Sequence, residues 1–411
     1  MEADNAHLWN AIRAWEKSKT GPQRLPAPIV SALAEYREEL GLYLGSDAGH
    51  ALIDRAVDRA NHGHVSIELV VRNVQADAPA RFPPEDIRLL KAGLSLRERA
   101  GLDLGTGLTV QAILRHTSGI KVAEAARVPA QSSTHHVRVY QQTGRLDLAC
   151  VSVARQSSGV ALVELNRPEK LNAETLSMLT SLEIAVDAVA LDPASLGAVL
   201  RGGRVSVGSR AGRRVFSSGI DLDHLVHGRI PLLRYMVGRE LGFIQKMRLG
   251  PLVRGVAAFK PWVTVVDGYA IGGGFQMALA GAAVVADDEA YFSLPALKEG
   301  FVPGVSALRL TRRFGSQLAR RMILNPVPIA IDQARSIGLV SEVAGEKELG
   351  REAEALVMQL SGESARANIE LLNSTEEAPH EFLTFLADFA AEQGRLLHSA
   401  STISALERWW A

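Results

Sequence analysis

Three consecutive glycines, Gly272 to Gly274, stand between two apolar stretches of the chain. The first stretch, Trp262 to Val266, predicts a buried strand, and the second, Phe275 to Ala282, predicts a helix. The first N–H groups of a helix have no partner within it, and glycine lets a ligand approach the backbone closely. The junction therefore predicts a backbone site for an anion, although a plain structural turn explains a glycine triplet equally well.

A second turn of small residues lies upstream, where Ser217, Ser218 and Gly219 lead into a predicted helix within FSSGIDLDHL. Each turn is expected to leave one backbone N–H group free, at Ile220 and at Gly273. Two such donors that converge on one point stabilise the oxyanion that forms when a carbonyl compound reacts. We expect these two groups to form an oxyanion hole.

Both turns belong to a longer set of motifs between Val151 and Val343: LNRPEKLNAETL, FSSGIDL, KPWVTVVDGYAIGGGFQMALAGAAVVADD, AYFSLPALKEGFVPG and IDQARSIGLVSEV. Together these motifs resemble the crotonase (enoyl-CoA hydratase/isomerase) superfamily. The resemblance implies an α/β fold with a crotonase-type ββα spiral core. It also implies that the N–H groups of Ile220 and Gly273 hold the enolate oxygen of an acyl-CoA thioester.

Enoyl-CoA hydratases carry two glutamates that handle water, and the resemblance places Gln276 and Ala296 at those positions. Neither side chain exchanges a proton near neutral pH, so simple hydration is disfavoured. Glu299 follows three residues after Ala296. We expect Glu299 to lie elsewhere along the turn and not to replace a hydratase glutamate.

The sequence resembles the cofactor-independent 3,5-dihydroxyphenylacetyl-CoA dioxygenases of this superfamily. The resemblance rests on Glu174, Arg239 and Gln276 and on a long helical stretch before the core. That resemblance carries the three side chains over as polar pocket residues. It implies an arylacetyl-CoA and O2 as substrates, an arylglyoxylate and CoA as products, and no metal or other cofactor. Thioester hydrolysis, decarboxylation and hydratase or isomerase chemistry are the alternatives, and the sequence leaves open which group removes the α-proton.

Two of these side chains also have ordinary structural explanations. Asn172 is placed to cap a helix from Ala173 to Val189, so Glu174 in its first turn is either a helix-dipole partner or an acidic group of the pocket. Arg239 borders the apolar face of a predicted helix from Pro231 to Leu249. A surface ion pair is the ordinary outcome for such an arginine, whereas one that points into an apolar pocket orients a polar substrate or stabilises an anion.

A basic loop precedes the first oxyanion turn and carries Arg201, Arg204, Arg210, Arg213 and Arg214. Exposed arginines are usually solvated surface. The crotonase pattern places CoA here, and guanidinium groups bind phosphate well, so we expect some of these side chains to contact the CoA phosphates.

Helical periodicity dominates both ends of the chain, as at Leu8, Ile12 and Trp15 near the N-terminus. Another apolar set runs from Leu89 to Leu96. We predict three regions: an N-terminal helical accessory domain over residues 1–145, a crotonase-like core over 146–345, and a C-terminal helical region over 346–411. The last region is expected to serve packing or oligomerisation, with Trp409 and Trp410 as packing or subunit contacts.

Two stretches in the N-terminal region are interpreted as structural segments without a ligand site. GLDLGTGLTVQAILRH, from Gly101, is predicted to be a loop followed by a helix that starts near Leu108. A dinucleotide site is disfavoured because no strand precedes its glycines. SSTHHVRVYQQTG, from Ser132, is predicted to be a solvated linker, in which His135 and His136 have no third metal ligand.

The composition is ordinary for a globular protein: 411 residues, 47% hydrophobic, 22% charged and a formal net charge of zero. The balance of charges gives no reason to expect nucleic acid or an anionic membrane as a partner. The N-terminus lacks a signal-peptide pattern and no apolar run reaches about 18 residues, so a cytoplasmic protein is expected. A single cysteine, Cys150, excludes an internal disulfide and is expected to be a small buried or boundary residue and not a nucleophile. The resemblance implies a homo-oligomer, either a trimer or a hexamer.

Overall fold

The computed structural model describes residues 5–18, 25–60, 65–84, 96 and 102–408. The apolar set from Leu89 to Leu96 lies outside these residues except for Leu96, and the pair Trp409 and Trp410 lies outside them entirely. Within the described ranges, no helix is long and apolar enough to cross a membrane.

The strands are short, and most lie in the middle of the chain. They are β1 (Arg145–Asp147), β2 (Val151–Arg155), β3 (Val160–Leu165), β4 (Gly197–Gly202), β5 (Leu252–Val253), β6 (Val256–Ala257), β7 (Trp262–Val266), β8 (Tyr269–Ile271), β9 (Ala283–Ala286), β10 (Tyr291–Ser293), β11 (Ile329–Ala330) and β12 (Glu342–Val343).

A seven-stranded sheet in the order β1-β2-β3-β4-β7-β9-β12 forms the centre of the fold. The strands β3, β4, β7 and β9 run parallel, while β1, β2 and β3 are joined antiparallel. The predicted strand β7 is confirmed, and all its residues are buried, as is usual for a parallel strand covered on both faces. A smaller sheet in the order β11-β10-β8 carries the glycine turn at the end of β8.

The helices enclose these sheets. They are α1 (Ala6–Ser18), α2 (Ala27–Leu44), α3 (Asp47–Ala60), α4 (Ile67–Asp77), α5 (Leu102–Arg115), α6 (Gly119–Ala126), α7 (Ser133–Thr143), α8 (Leu176–Leu191), α9 (Leu222–Val226), α10 (Gln245–Leu249), α11 (Gly273–Ala278), α12 (Ala296–Glu299), α13 (Ser306–Phe314), α14 (Ser316–Leu324), α15 (Ile331–Ser336), α16 (Leu349–Leu360), α17 (Glu363–Glu376), α18 (Pro379–Leu396) and α19 (Ala400–Glu407). Apolar residues of α8 pack on one face of the large sheet, and those of α16 pack on the other.

The N-terminal helices form a core of their own, and the helical periodicity predicted there is confirmed. Leu8, Ile12 and Trp15 are all buried on one side of α1. This core is completed by α18, whose Leu386 and Ala390 are fully buried in it. The two ends of the chain therefore share one hydrophobic core.

The loop predicted before Leu108 is wrong, because α5 already begins at Leu102. Its glycines serve close helix packing instead. A Cβ atom on Gly105 would lie 2.7 Å from the Tyr36 hydroxyl, and one on Gly107 would lie 2.4 Å from the Ala390 carbonyl oxygen. Small residues are needed here because neighbouring helices approach the α5 backbone.

The solvated linker predicted around His135 and His136 is also wrong, because these residues lie on α7. Val137 and Tyr140 of this helix are buried. The carboxylate of Asp187 fixes the start of α7, since its Oδ2 accepts a 2.7 Å hydrogen bond from the Ser133 hydroxyl. The polar composition of α7 belongs to its exposed face.

Helix α8 begins later than predicted. Its N-cap is Thr175, whose hydroxyl accepts a hydrogen bond from Met178 N. Asn172 is not the cap: it has a φ of 54°, and its side chain donates a 2.7 Å hydrogen bond to Val215 O. Glu174 consequently lies before the helix and is not a residue of its first turn.

The predicted helix from Pro231 to Leu249 exists but is irregular. Leu232–Val237 and Glu240–Ile244 are π-helical, and α10 continues from Gln245. The kink lies at Gly242, whose ψ is −114°. Wide π turns occur often at functional sites, and here Arg239 lies at the junction between the two π-helical segments.

Candidate active site

The two glycine-containing turns lie against each other, as the sequence predicts. Ser217 and Ala270 form a parallel bridge, and Ile271 N donates a 3.1 Å hydrogen bond to Ser217 O. A Cβ atom on Gly219 would lie only 2.6 Å from Ile271 O and 3.1 Å from Gly273 N. With a φ of 89°, Gly219 also has a backbone conformation that other residues rarely adopt. Glycine is therefore required for the approach of one turn to the other.

The N–H groups of Ile220 and Gly273 are free among the described residues, since neither has an intramolecular acceptor there. Both residues line the same cavity. Gly273 is the first residue of α11, so its N–H is one of the unpaired donors at a helix start. This arrangement can hold an oxyanion between two backbone donors.

Glu174 lies directly behind this pair of donors. Its backbone bridges to Ile220, with Glu174 N donating 2.7 Å to Gly219 O and Asp221 N donating 3.0 Å to Glu174 O. Its carboxylate is fully buried, and a Cβ atom on Gly273 would lie 2.2 Å from Glu174 Oε1. Glu174 thus contacts both oxyanion turns, and the helix-dipole explanation does not apply.

Arg239 is buried beside Glu174 and is not a surface arginine. Its Nε donates 2.9 Å to Glu174 Oε2, and its Nη2 donates 2.7 Å to Gly273 O and 3.4 Å to Glu174 Oε1. Its Nη1 donates 2.9 Å to both Glu240 Oε1 and Gln276 Oε1. Burial alone would lower the pKa of Arg239, but Glu174 and Glu240 outweigh it and hold the pKa above its ordinary value. All five guanidinium donors are therefore engaged by the protein.

Gln276 is held between two partners at the edge of the cavity. Its Oε1 accepts from Arg239, and its Nε2 donates 3.1 Å to Pro303 O. The amide is fixed and cannot exchange a proton near neutral pH. Tyr235 completes the group by donating 3.2 Å to Glu174 Oε2, and burial raises its pKa well above the usual value.

The cavity also contains residues that the sequence interpretation missed or dismissed. Glu299 lines it together with Ala296, so the expectation that Glu299 lies elsewhere is wrong. The short helix α12 explains this placement, because residues three apart share one face of a helix. That spacing was visible in the sequence. Burial raises the pKa of Glu299 to about 7.

Phe389 and Gln393 line the cavity from α18, about a hundred residues after the glycine turn. Gln393 Oε1 accepts a 2.9 Å hydrogen bond from Val302 N, and its buried Nε2 has no acceptor in the part of the chain that the structure describes. No local motif marks these two residues. They belong to the site only because α18 folds back beside the core.

The five loop arginines are each paired with an acidic side chain. The pairs are Arg201–Asp267, Arg204–Glu346, Arg210–Glu289, Arg213–Glu289 and Arg214–Glu164. Arg201 is buried with its Nε 2.7 Å from Asp267 Oδ2, which makes it a structural residue of β4. Arg204 and Arg213 have side chains that are 61% and 44% exposed. Their contact with CoA phosphates stays a prediction.

Cys150 is buried, as expected. In the described ranges, no group of three or more His, Cys, Asp or Glu side chains could hold a metal ion.

Comparison with known proteins agrees with this architecture. A family model for enoyl-CoA hydratase/isomerase matches residues 155–405. The chain is 34% identical over 396 residues to a (3,5-dihydroxyphenyl)acetyl-CoA 1,2-dioxygenase from Amycolatopsis orientalis. The alignment covers 94% of this chain and 89% of that enzyme. It is 33% identical over 193 residues to a 2,3-dehydroadipyl-CoA hydratase from Escherichia coli K12, covering 46% and 68% of the two chains.

Among solved structures, an enoyl-CoA hydratase from Mycobacterium avium subsp. paratuberculosis superposes with a TM-score of 0.52 at 26% identity, over 64% of this chain and 96% of that one. The family match covers more than half of the sequence. On these grounds the chain is an enzyme of the enoyl-CoA hydratase/isomerase family, the crotonase superfamily.

Proposed function

We propose that this enzyme is a cofactor-independent dioxygenase that converts 3,5-dihydroxyphenylacetyl-CoA and O2 into 3,5-dihydroxyphenylglyoxylate and CoA. The observation that carries the proposal is the cavity itself. Two free backbone donors, at Ile220 and Gly273, face a space in which the hydratase positions are Gln276 and Ala296. Such a site can stabilise an enolate, but it lacks the glutamate pair that hydration uses.

The first step is formation of the thioester enolate. Loss of an α-proton moves negative charge onto the thioester oxygen, where the N–H groups of Ile220 and Gly273 stabilise it. Glu174 and Arg239 hold these donors in place, because Glu174 binds the Ile220 turn while Arg239 binds the Gly273 carbonyl. The aryl ring spreads the remaining carbanion charge.

The second step uses O2 as the electrophile. An electron-rich carbanion can pass an electron to O2 directly, and the two radicals combine to give a peroxide on the α-carbon. The peroxide attacks the thioester carbonyl and expels CoA as the thiolate. Cleavage of the O–O bond with loss of the second α-proton gives the α-keto acid, so that both oxygen atoms of O2 enter the product.

Two further observations support this assignment over ordinary crotonase chemistry. The relative that matches 94% of the chain is named as a (3,5-dihydroxyphenyl)acetyl-CoA 1,2-dioxygenase. The side chain at the first hydratase position, Gln276, is locked by Arg239 and Pro303 and cannot act as an acid or base.

The test gives the purified enzyme 3,5-dihydroxyphenylacetyl-CoA and air alone. We expect O2 uptake, CoA release and α-keto acid formation in equal amounts. In a mixture of 18O2 and 16O2, the product should carry both or neither labelled atoms. Rapid borohydride quenching preserves the ketone label during mass spectrometry, and an anaerobic reaction is the control.

Thioester hydrolysis is the second candidate, because the same two N–H donors also fit a tetrahedral oxyanion and Glu299 can activate water. A hydrolase releases CoA and the arylacetate under nitrogen and consumes no O2. That result would refute the dioxygenase assignment. O2 uptake with a different arylacetyl-CoA would keep the reaction and change the substrate.

We also propose the finer context that follows from this assignment. The enzyme acts in the cytoplasm as a homo-oligomer, a trimer or hexamer, without a metal or other cofactor. Its product is suited to arylglycine biosynthesis for antibiotics, since transamination of an arylglyoxylate gives an arylglycine. Sedimentation equilibrium of the purified protein tests the oligomeric state, and elemental analysis of the active enzyme tests the absence of a metal.

A further inference from the structure

We propose that Glu299 is the general base that removes the α-proton of the arylacetyl thioester. The inference deepens the proposed function, because that function requires an enolate and does not by itself identify the base. It is carried by the position of one carboxylate in the cavity and by its lack of partners.

The position follows from helix α12. Ala296 and Glu299 lie on the same face of this helix, and both line the cavity that contains Ile220 and Gly273. At one end of this helix face, Ala296 stands at the position where hydratases carry a glutamate. Glu299 supplies a carboxylate one turn further on, so the cavity keeps an acid–base group at a shifted position.

The other carboxylates at the site are already neutralised. Glu174 is paired with Arg239, and Glu240 is paired with both Arg239 and Arg309. Protonation of either would leave these buried guanidinium groups one counter-charge short, which is strongly unfavourable. Neither carboxylate is therefore suited to accept a substrate proton.

Glu299 differs because no hydrogen-bond or ion-pair partner for it exists among the described residues. The cavity is also lined by Tyr235, Arg239 and Glu240. Each of these side chains already has a protein partner, since Tyr235 donates to Glu174 and Arg239 donates to both Glu174 and Glu240. On the elements packed against α12, Arg320 and Arg321 of α14 are exposed, and Thr402 of α19 bonds to the Gly300 carbonyl. The carboxylate is thus free to receive a proton.

The basicity of this carboxylate suits the task. Burial raises the pKa of Glu299 to about 7, and no charged neighbour contributes to the change. A general base works best when its pKa lies near the working pH, where it is both unprotonated often enough and basic enough. An ordinary solvent-exposed glutamate would be a weaker base.

The proton transfer balances within the site. The α-carbon–hydrogen bond breaks, and its electron pair becomes the enolate. A Glu299 carboxylate oxygen forms the new O–H bond. One negative charge leaves the carboxylate and appears on the thioester oxygen, where Ile220 and Gly273 donate to it.

The experiment separates enolate formation from oxygenation. Under anaerobic conditions, the enzyme is mixed with arylacetyl-CoA in deuterated water, and loss of the α-proton signal is followed by NMR. For Glu299→Gln we expect exchange to slow by on the order of a hundredfold or more, with O2 uptake falling in parallel. Lys298→Gln, on an exposed position of the same helix, is the matched control and should exchange like the wild type.

Two measurements distinguish a base from a structural residue. In the wild type, exchange should rise with pH through about 7, and this rise should be absent in Glu299→Gln. Formate added to Glu299→Ala should restore part of the exchange, because a small carboxylate can enter the vacated space. Circular dichroism and urea unfolding check that each variant is folded.

The outcomes keep the two proposals apart. Wild-type exchange at full rate in Glu299→Gln overturns the assignment of the base, whatever the O2 result. Wild-type exchange without O2 uptake refutes the dioxygenase, while the variants still decide the role of Glu299. A wild-type enzyme that exchanges no α-proton from 3,5-dihydroxyphenylacetyl-CoA or phenylacetyl-CoA overturns both proposals.

Discussion

At the residue scale, Arg239 connects the two backbone turns of the cavity. It binds the carbonyl of Gly273 directly and reaches the Ile220 turn through Glu174. Because its donors are all satisfied by the protein, we propose that Arg239 positions the two N–H donors and does not bind the substrate anion itself. The sequence alone leaves a surface ion pair and a pocket cation open, and the structure buries this cation between two carboxylates, Glu174 and Glu240.

The pair Arg239 and Glu174 should show strong coupling in stability. Each single variant, Arg239→Gln or Glu174→Gln, leaves a buried charge short of a partner and should lower the free energy of unfolding by about 3 kcal/mol. The double variant should lose much less than the sum, because both unpaired charges are gone. Urea unfolding at pH 7 measures all three, and additive losses would show that the two charges do not interact.

At the element scale, the turn after β8 and the segment before α9 meet through a close glycine contact. Gly219 has a positive φ and no room for a Cβ atom. Gly212 also has a positive φ, of 82°, but nothing lies within 4 Å of its would-be Cβ atom. A substitution at Gly212 therefore introduces backbone strain alone, whereas a substitution at Gly219 introduces backbone strain and a steric clash between the two turns.

Replacing these glycines should give different results. Gly219→Ala should lower turnover by on the order of a hundredfold, because its Cβ atom forces the two N–H donors apart. Gly212→Ala should leave turnover close to the wild type and lower the free energy of unfolding by only about 1 kcal/mol, the usual strain of a left-handed residue. Steady-state O2 uptake and urea unfolding provide the comparison, and equal losses of turnover in both variants would contradict it.

Local motifs predicted the parts of the site that are built from contiguous sequence. The strand β7, the glycine turn and the free N–H groups could be read because glycine and helix starts have fixed backbone consequences. Of the two alternatives for Glu174, the helix-dipole one fails because α8 begins only at Leu176, with Thr175 as its N-cap. The expectation for Glu299 fails because the residues around it form the helix α12 and not a plain turn.

Long-range packing could not be predicted from the same patterns. The polar side chains of α7 favour a linker, since its two buried apolar residues, Val137 and Tyr140, are too few to give a clear helical period. Phe389 and Gln393 carry no local mark of a site residue. Their place depends on how α18 docks, which is decided by contacts hundreds of residues apart.

At the scale of the whole molecule, a buried series of ion pairs leads from the site to the C-terminal helices. Arg309 pairs with Glu240 on one side and with Glu377 on the other, and Glu377 is also 3.2 Å from Arg248 Nε. Through Glu240, the series reaches Arg239. The division into residues 1–145, 146–345 and 346–411 stays a proposal, and limited proteolysis at these boundaries would examine it.

Glu377 should make stability depend on pH in the acid range. Burial would raise its pKa, but Arg309 and Arg248 outweigh burial and lower the pKa from 4.5 to about 2. A lowered folded-state pKa stabilises the protein above pH 4.5, and this stability is lost as the pH falls through the folded-state value. The shift corresponds to about 3 kcal/mol.

Urea unfolding between pH 5 and pH 2, at about half-unit steps, measures this effect. Glu377→Gln should be less stable at pH 5 and should have a shallower decline. Glu381→Gln is the matched control, because its ion pair with Arg312 is about half exposed and should matter little. A decline in Glu377→Gln as steep as in the wild type would mean that other carboxylates dominate.

The shared core of α18 and the N-terminal helices has a consequence for synthesis on the ribosome. The N-terminal helices are made well before the residues that complete their core, such as Leu386 and Ala390. The nascent chain therefore exposes that apolar surface until α18 has been synthesised. Contacts between such distant residues also slow folding, because a long loop must close before they can form. We expect this core to form only after α18 has left the ribosome and to depend on chaperones that shield helices α1 to α4 until then.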